Sequence, residues 1–260
     1  MNILCIGDIV GRAGREALAS VLPVLRKQYA IDFVIVNAEN ASGGSGIIPK
    51  TADEIFVLGV DVMTMGDHVW DKKQIVPYLE AQERIIRPAN FPDGTPGRGW
   101  TMQTSAKGVK VGVINLLGRT FMRYNVDCPF RALGRIVAEI RQQTPVIVLD
   151  MHAETTSEKV AIGHFIDGDI SCVFGTHTHV QTADEKILPK GTAYITDLGM
   201  SGPYDSVIGQ DKTIILTRFL TSMPQKFEVA QGHATIHGIV VDVDEHTGLA
   251  RRITRIQHAA

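Results

Sequence analysis

Short apolar runs that each stop at a polar or charged side chain recur along this chain, and they leave few folds open. Ile3–Gly7 stops at Asp8, and Phe33–Val36 at Asn37-Ala38-Glu39-Asn40. Asp61–Met65 is followed by Gly66-Asp67-His68, and Pro145–Leu149 by Asp150-Met151-His152-Ala153-Glu154. Ile170–Phe174 leads into Gly175-Thr176-His177-Thr178-His179. Continuous β-rich apolar runs of this kind read as buried strands. Between them lie helical patterns. One opens at Gly11–Gly14 and carries Leu18, Leu22 and Leu25 on one face, and others are expected over Thr51–Leu58, Asp71–Leu79 and Arg131–Gln142. Strands alternating with helices predict an α/β fold built from βαβ units, with a largely parallel sheet. In such sheets, sites form outside the carboxyl ends of the strands. The polar residues that stop the runs all fall there.

Further strands are expected over Thr101–Thr104, Val109–Leu116 and Thr192–Thr196. The tail differs in kind. Lys226–Val229, Ala234–Val243 and Leu249–Ile256 read as antiparallel strands, with a turn at Glu245-His246-Thr247-Gly248. Two long loops, Arg87–Gly97 and Gly118–Phe130, interrupt the pattern, and the second has Arg119, Arg123 and Arg131 in or beside it. Long loops in a compact fold are often functional. No linker divides the chain, so 1–260 is expected to form one domain.

With 260 residues, 44% of them hydrophobic, the chain can bury a large core. A net charge of -2 gives no electrostatic case for long nucleic acid or an acidic membrane. It does not exclude a small anionic substrate, because a metal can supply positive charge locally. Cys5, Cys128 and Cys172 are odd in number and far apart, so neither a disulfide framework nor a cysteine zinc site is expected. Neither a signal peptide nor a bilayer-spanning run is visible, which points to the cytoplasm. A homo-oligomer is compatible with the sequence.

The strand ends carry the chemistry. In extended chain, His177 and His179 lie two residues apart and point to one side. Neutral imidazole is the commonest metal ligand. Taken singly, each candidate has a plainer reading: Asp8 as a helix cap, Glu39 as an arginine partner, His152 as a core histidine. Jointly, Asp8, Glu39, Asn40, Asp67, His68, His152, His177 and His179 bring carboxylates and imidazoles from five strand ends to one sheet edge. Mixed oxygen and nitrogen donors suit iron, manganese or zinc better than calcium or magnesium. So many donors exceed one ion's needs and suggest two ions sharing a bridging carboxylate, set roughly 3.5–4 Å apart and activating water for attack on phosphorus. His68 could protonate the leaving oxygen. A dinucleotide-binding reading of Gly7, Gly11 and Gly14, with Glu39 as the acid, fails on the first glycine spacing and leaves the histidines unexplained.

These motifs resemble those of the calcineurin-like metallophosphoesterases, whose sheet-edge signatures include Gly-Asn-His and Gly-His-x-His. In detail the chain resembles their bacterial YmdB-like branch, the 2′,3′-cyclic-nucleotide 2′-phosphodiesterases. The matching segments are Ile6–Gly11, Asn37–Ala41, His68–Lys73, Arg87–Pro92, Asp127–Arg131, Gly175–Asp184 and Leu188–Asp197. The resemblance implies a four-layer α/β/β/α sandwich with mixed sheets and two metal ions, usually iron, with manganese possible. It implies Asp8, Glu39, Asn40 and His179 around one ion, and Glu39, Asp67, His152 and His177 around the other, with His68 as proton donor. The implied reaction opens 2′,3′-cyclic nucleotides to 3′-nucleotides. A phosphatase of broader range, or a metal-bearing nucleotide-binding regulator with little turnover, are the alternatives. Asp67 departs from the branch, which usually has Asn there; the third carboxylate is expected to tighten the hold on the ions.

Overall fold

A computed structural model describes residues 1–260. In chain order the elements are β1 (Asn2–Ile6), β2 (Asp8–Ile9), α1 (Gly11–Tyr29), β3 (Phe33–Asn37), α2 (Pro49–Val57), β4 (Val62–Thr64), α3 (Ile75–Ala81), β5 (Ile85–Ile86), β6 (Trp100–Thr104) and β7 (Lys110–Leu117). There follow α4 (Pro129–Ile140), β8 (Ile147–His152), α5 (Thr156–Ile166), β9 (Cys172–Thr176), β10 (Lys186–Ile187), β11 (Ala193–Ile195), β12 (Met200–Pro203), α6 (Lys212–Thr221), β13 (Ala234–Val243) and β14 (Ala250–Ala259).

The strands form two mixed sheets. The first runs β2-β12-β13-β1-β3-β4-β5, with β14 also paired to β13; the second runs β10-β11-β9-β8-β7-β6. Each has a parallel centre: β1, β3, β4 and β5 in the first, and β7, β8, β9 and β11 in the second. The expected parallel sheet is therefore two, the first bordered by antiparallel strands on one side and the second on both.

Alternation along the strands explains the layering. Ile3, Cys5, Phe33 and Ile35 point from the first sheet into a core shared with Val111, Val113, Val148, Cys172 and Phe174 of the second. Their neighbours Leu4, Ile6, Val34 and Val36 point the other way, onto Leu18, Leu22 and Leu25 of α1. On the far side, Ile114, Leu116, Leu149 and Val173 pack against Leu133 and Ile140 of α4 and Ile162 of α5. Three apolar contacts between four layers make an α/β/β/α sandwich. Strands with both faces covered must read as continuous apolar runs rather than alternating ones.

Two local expectations need correction. The helix expected from Asp71 begins only at Ile75, because successive turns, closed by Asp71 N–H to His68 C=O and Ile75 N–H to Lys72 C=O, occupy the preceding stretch. Lys226–Val229 forms no strand; its side chains are largely exposed, and only a single bridge joins Val229 to Gln210. Asp8 is not a helix cap but part of β2, paired beside Met200. Helices α5 and α6 were not anticipated. The first buries Lys159 among its apolar residues, and the second buries only Ile215 while Phe219 and Leu220 stand exposed, so neither shows a clean apolar stripe.

His237 on β13 stacks on Tyr204, with ring centroids 4.2 Å apart and a 2.7 Å hydrogen bond between Tyr204 Oη and Nδ1. Burial first, and Arg255 second, push this imidazole down to about 4 from its ordinary 6.5. Below 6.5 the unfolded chain binds a proton that the folded one refuses, so stability falls as pH drops from 6.5 through 4. His237→Phe, which keeps the ring, is expected to flatten this part of a plot of melting temperature against pH.

Candidate metal centre

The carboxyl ends of the central strands of both sheets meet at one edge. From the first sheet come Asp8 in β2, Glu39 and Asn40 after β3, and Asp67 and His68 after β4. From the second come His152 at the end of β8, and His177 and His179 after β9. All the expected side chains fall here. Asp8, Glu39, Asn40, Asp67 and His152 are buried; His68, His177 and His179 are half-buried and line the open side.

One atom each from Glu39, Asp67, His152 and His177 lies within 4.8 Å of all the others. His152 Nε2 stands 3.2 Å from both Glu39 Oε1 and Asp67 Oδ1. His177 Nδ1 is 3.4 Å from Asp67 Oδ1 and 3.1 Å from His152 Nε2. Beside this group, His179 Nε2 is 3.1 Å from the Asn40 amide and 3.8 Å from Asp8 Oδ1. Asp8 Oδ1 is buried with no hydrogen-bond partner, although buried polar atoms are almost always paired. Turning the Asn40 amide over would place its oxygen at the same point, since the two orientations are chosen by their partners.

The electrostatics ask for a cation. Burial raises the Asp8 carboxyl above its ordinary range. Burial also opposes charge on Glu39 and on His152, yet their mutual attraction wins, holding Glu39 below and His152 well above their usual values. Burial likewise works against Asp67, but hydrogen bonds with His152 and His177 keep it low. A buried imidazole whose charged form is favoured by surrounding carboxylates marks a place where positive charge is welcome. The residues present fit metal ions.

A second ring of contacts orients these groups. His152 Nδ1 is 2.9 Å from Thr176 Oγ1, whose hydroxyl donates to Asp150 Oδ1 at 2.6 Å. With Nδ1 as the donor, Nε2 keeps its lone pair for the cluster. Asp150 is fully buried, and burial lifts its carboxyl to about 6 against hydrogen bonds from Thr176 and Thr64. Asn37 donates to Asp150 Oδ2 at 3.1 Å and accepts from Glu39 N–H, tying the two sheets together beneath the site. His177 Nε2 rests 3.0 Å from Glu154, and His179 Nδ1 donates to Ile208 C=O at 2.8 Å. Sequence reasoning gave none of these residues a role. The available signal was that Asn37, Asp150 and Thr176 are polar residues inside or ending otherwise apolar strands. Gly66 is required by close approach: a Cβ there would fall on His152 Nε2 and Glu39 Oε2.

His68 sits at the rim. Its Nδ1 lies 2.7 Å from Asp71 Oδ2, leaving Nε2 directed elsewhere. Ser45 donates to the same carboxylate, and Arg123 Nη2 donates to Asp71 Oδ1 at 2.8 Å. Burial disfavours the imidazolium, but Glu39, Asp67 and Asp71 outweigh it and raise its pKa. Arg123 Nε also stands 3.9 Å from Asp67 Oδ2, partly balancing that charge.

Comparison with known proteins places this geometry. A family model described as YmdB-like protein matches residues 4–256. The chain belongs to the YmdB-like family. It is 49% identical over 256 residues to a Bacillus subtilis protein named 2′,3′-cyclic-nucleotide 2′-phosphodiesterase, covering 98% of this chain and 96% of that one. The crystal structure of a hypothetical protein from Thermus thermophilus superposes with a TM-score of 0.92 at 40% identity, over 100% of this chain and 99% of that one. That of a novel phosphatase from Mycoplasma pneumoniae gives 0.93 at 34% identity, over 100% and 93%. The likeness spans both sheets and every strand end that carries a candidate ligand.

Thr176→Val keeps the shape but removes the link between His152 and Asp150. It is expected to cost about 1–3 kcal/mol of stability, the cost of leaving buried polar groups unpaired. Urea unfolding of the two proteins measures it.

Proposed function

We propose that this protein is a dimetal phosphodiesterase that opens 2′,3′-cyclic nucleotides to 3′-nucleotides by breaking the bond to the 2′ oxygen. The observation that carries the reading is the gathering of Glu39, Asp67, His152 and His177 donor atoms within 4.8 Å. Near-full-length similarity to the Bacillus subtilis phosphodiesterase supports the substrate class. Asp8, Glu39, Asn40 and His179 would hold one ion, and Glu39, Asp67, His152 and His177 the other, with Glu39 shared. Iron, with manganese able to take its place, is the metal that the resemblance to the metallophosphoesterases implies, and the mixed carboxylate, amide and imidazole donors are compatible with either. When bound, such a pair supplies a water-derived nucleophile and offsets the charge of the phosphate.

The chain's own residues do the rest. Asp71 holds the His68 ring through Nδ1, so Nε2 is the atom that can face the substrate. The neighbouring carboxylates raise the pKa of His68 and so favour the protonated form that a general acid requires. His68 would give its proton to the departing 2′ oxygen. Arg123 and Ser45 fix Asp71 and so set the ring's direction. Three unpaired cysteines support a reducing, cytoplasmic setting. No helix is long and apolar enough to cross a membrane.

The similarity to a structure described as a novel phosphatase supports a second reading, a phosphatase of broader range. Purified protein loaded with manganese or iron and offered 2′,3′-cyclic AMP and p-nitrophenyl phosphate separates the two. Faster release of 3′-AMP is expected. Preference for the monoester would favour the second reading, and binding without turnover would favour a regulator. His68→Ala is expected to lower kcat by about 10²–10⁴-fold, the usual contribution of a positioned acid.

Asp67 adds a third carboxylate to the site. Asp67→Asn is expected to retain less metal after dialysis and to change turnover; elemental analysis and rates both equal to the parent protein's would end this idea.

A further inference from the structure

The two histidines after β9 are held in an unusual way. His177 and His179 have φ of 97° and 63°. Both lie in the left-handed region, which residues with a Cβ seldom enter and which must be imposed from outside. Thr178 between them is fastened to one carboxylate. Asp197 Oδ2 accepts from Thr178 N at 3.2 Å and from Thr178 Oγ1 at 2.7 Å. Its other oxygen accepts from Gly199 N at 2.7 Å, which shapes the turn that brings Leu198 N to Gly175 C=O and Met200 N to His179 C=O.

The carboxylate is itself anchored. Lys159 Nζ, on α5, donates to Asp197 Oδ2 at 2.7 Å, and both side chains are fully buried. The lysine stem runs past Gly175, where a Cβ would meet Lys159 Cδ at 2.7 Å. Neither Lys159 nor Asp197 contacts a candidate ligand atom. A buried ion pair is weak evidence for stability, since an apolar pair of similar volume often serves as well. This one instead accepts two hydrogen bonds from the one residue that joins the two histidines.

We propose that Lys159, Asp197 and Thr178 are positioning residues that set the imidazoles of His177 and His179 for metal binding. The inference rests on the reading of those histidines as ligands. Lys159 fixes the carboxylate; the carboxylate fixes Thr178; and Thr178 pins the centre of a strained turn so that its two flanking rings reach the two groups of donors. Second-ring partners of this kind typically change metal affinity by about 10–100-fold when removed.

Thr178 offers the clean test, because Asp197→Asn would leave the buried Lys159 charge uncompensated and endanger folding. Thr178→Val keeps the branched shape and the backbone N–H but loses the hydroxyl; Thr178→Ser restores it. The full chain, stripped of metal, is titrated with Mn²⁺ by calorimetry, with melting temperature and far-ultraviolet circular dichroism measured alongside. Thr178→Val is expected to weaken Mn²⁺ binding roughly 10-fold or more, at near-parental melting temperature, with Thr178→Ser close to the parent. If Thr178→Val binds Mn²⁺ like the parent while His177→Ala does not, the positioning role is overturned and the ligand reading survives. If His177→Ala and His179→Ala both bind like the parent, the ligand reading fails and takes this inference with it. A loss in Thr178→Val that Thr178→Ser does not restore, or that tracks a fall in melting temperature, marks a merely structural role and also overturns it.

Discussion

A carboxylate taken out of water must find a counter-charge, and three of them stand together where the two sheets meet. Asp8, Glu39 and Asp67 are all buried, and no lysine lies among them. Arg123 reaches only the outer oxygen of Asp67, at 3.9 Å. The imidazole of His152 is the only fully buried group able to carry positive charge in the cluster, and its raised pKa records that demand. Uncompensated buried charge is among the most costly features a fold can contain. The arrangement makes sense as a receptacle for cations, and the supporting contacts follow from it.

Those contacts divide the labour between the sheets. Asn37 and Thr64 from the first sheet and Thr176 from the second converge on Asp150, which underlies the site and links its two walls. At the rim, Asp71 aims His68, and Arg123 with Ser45 aims Asp71. The groups that would touch ions or substrate are thus rarely free to turn. Each is held through its second polar atom, as His152 is by Thr176, His177 by Glu154 and His179 by Ile208 C=O. Rigid placement of this kind is what a reaction relying on oriented charge requires.

Much of the site was legible in the sequence because its residues interrupt runs that are otherwise apolar. Asp8, Glu39, Asp67, His152 and the His177–His179 pair each stand where a buried strand gives way to loop, and the parallel centres of both sheets carry all of those ends to one edge. The layering was less legible. Apolar runs predict strands with two covered faces, yet they do not say whether the cover is a helix or another sheet; Ile3 and Leu4 look alike in sequence but face a sheet and a helix respectively. α5 escaped detection because its buried face includes Lys159, a residue that normally signals solvent. Asp150 and Asp197 were overlooked for a related reason. Their partners, Thr176 at the end of β9, Thr178 in the loop after it and Lys159 from a helix, are set by the fold and not by spacing along the chain.

The donors come from both halves of the sandwich, and this has a thermodynamic corollary. An ion gripped by Glu39 and Asp67 on one side and His152 and His177 on the other would act as a rivet between the two sheets. Whatever free energy it gains on binding is returned as resistance to unfolding, amounting to about 2.7 kcal/mol at a concentration a hundred times the dissociation constant. Damage remote from the site, in the apolar layer between the sheets for instance, would then be masked while cation is plentiful and exposed once a chelator removes it.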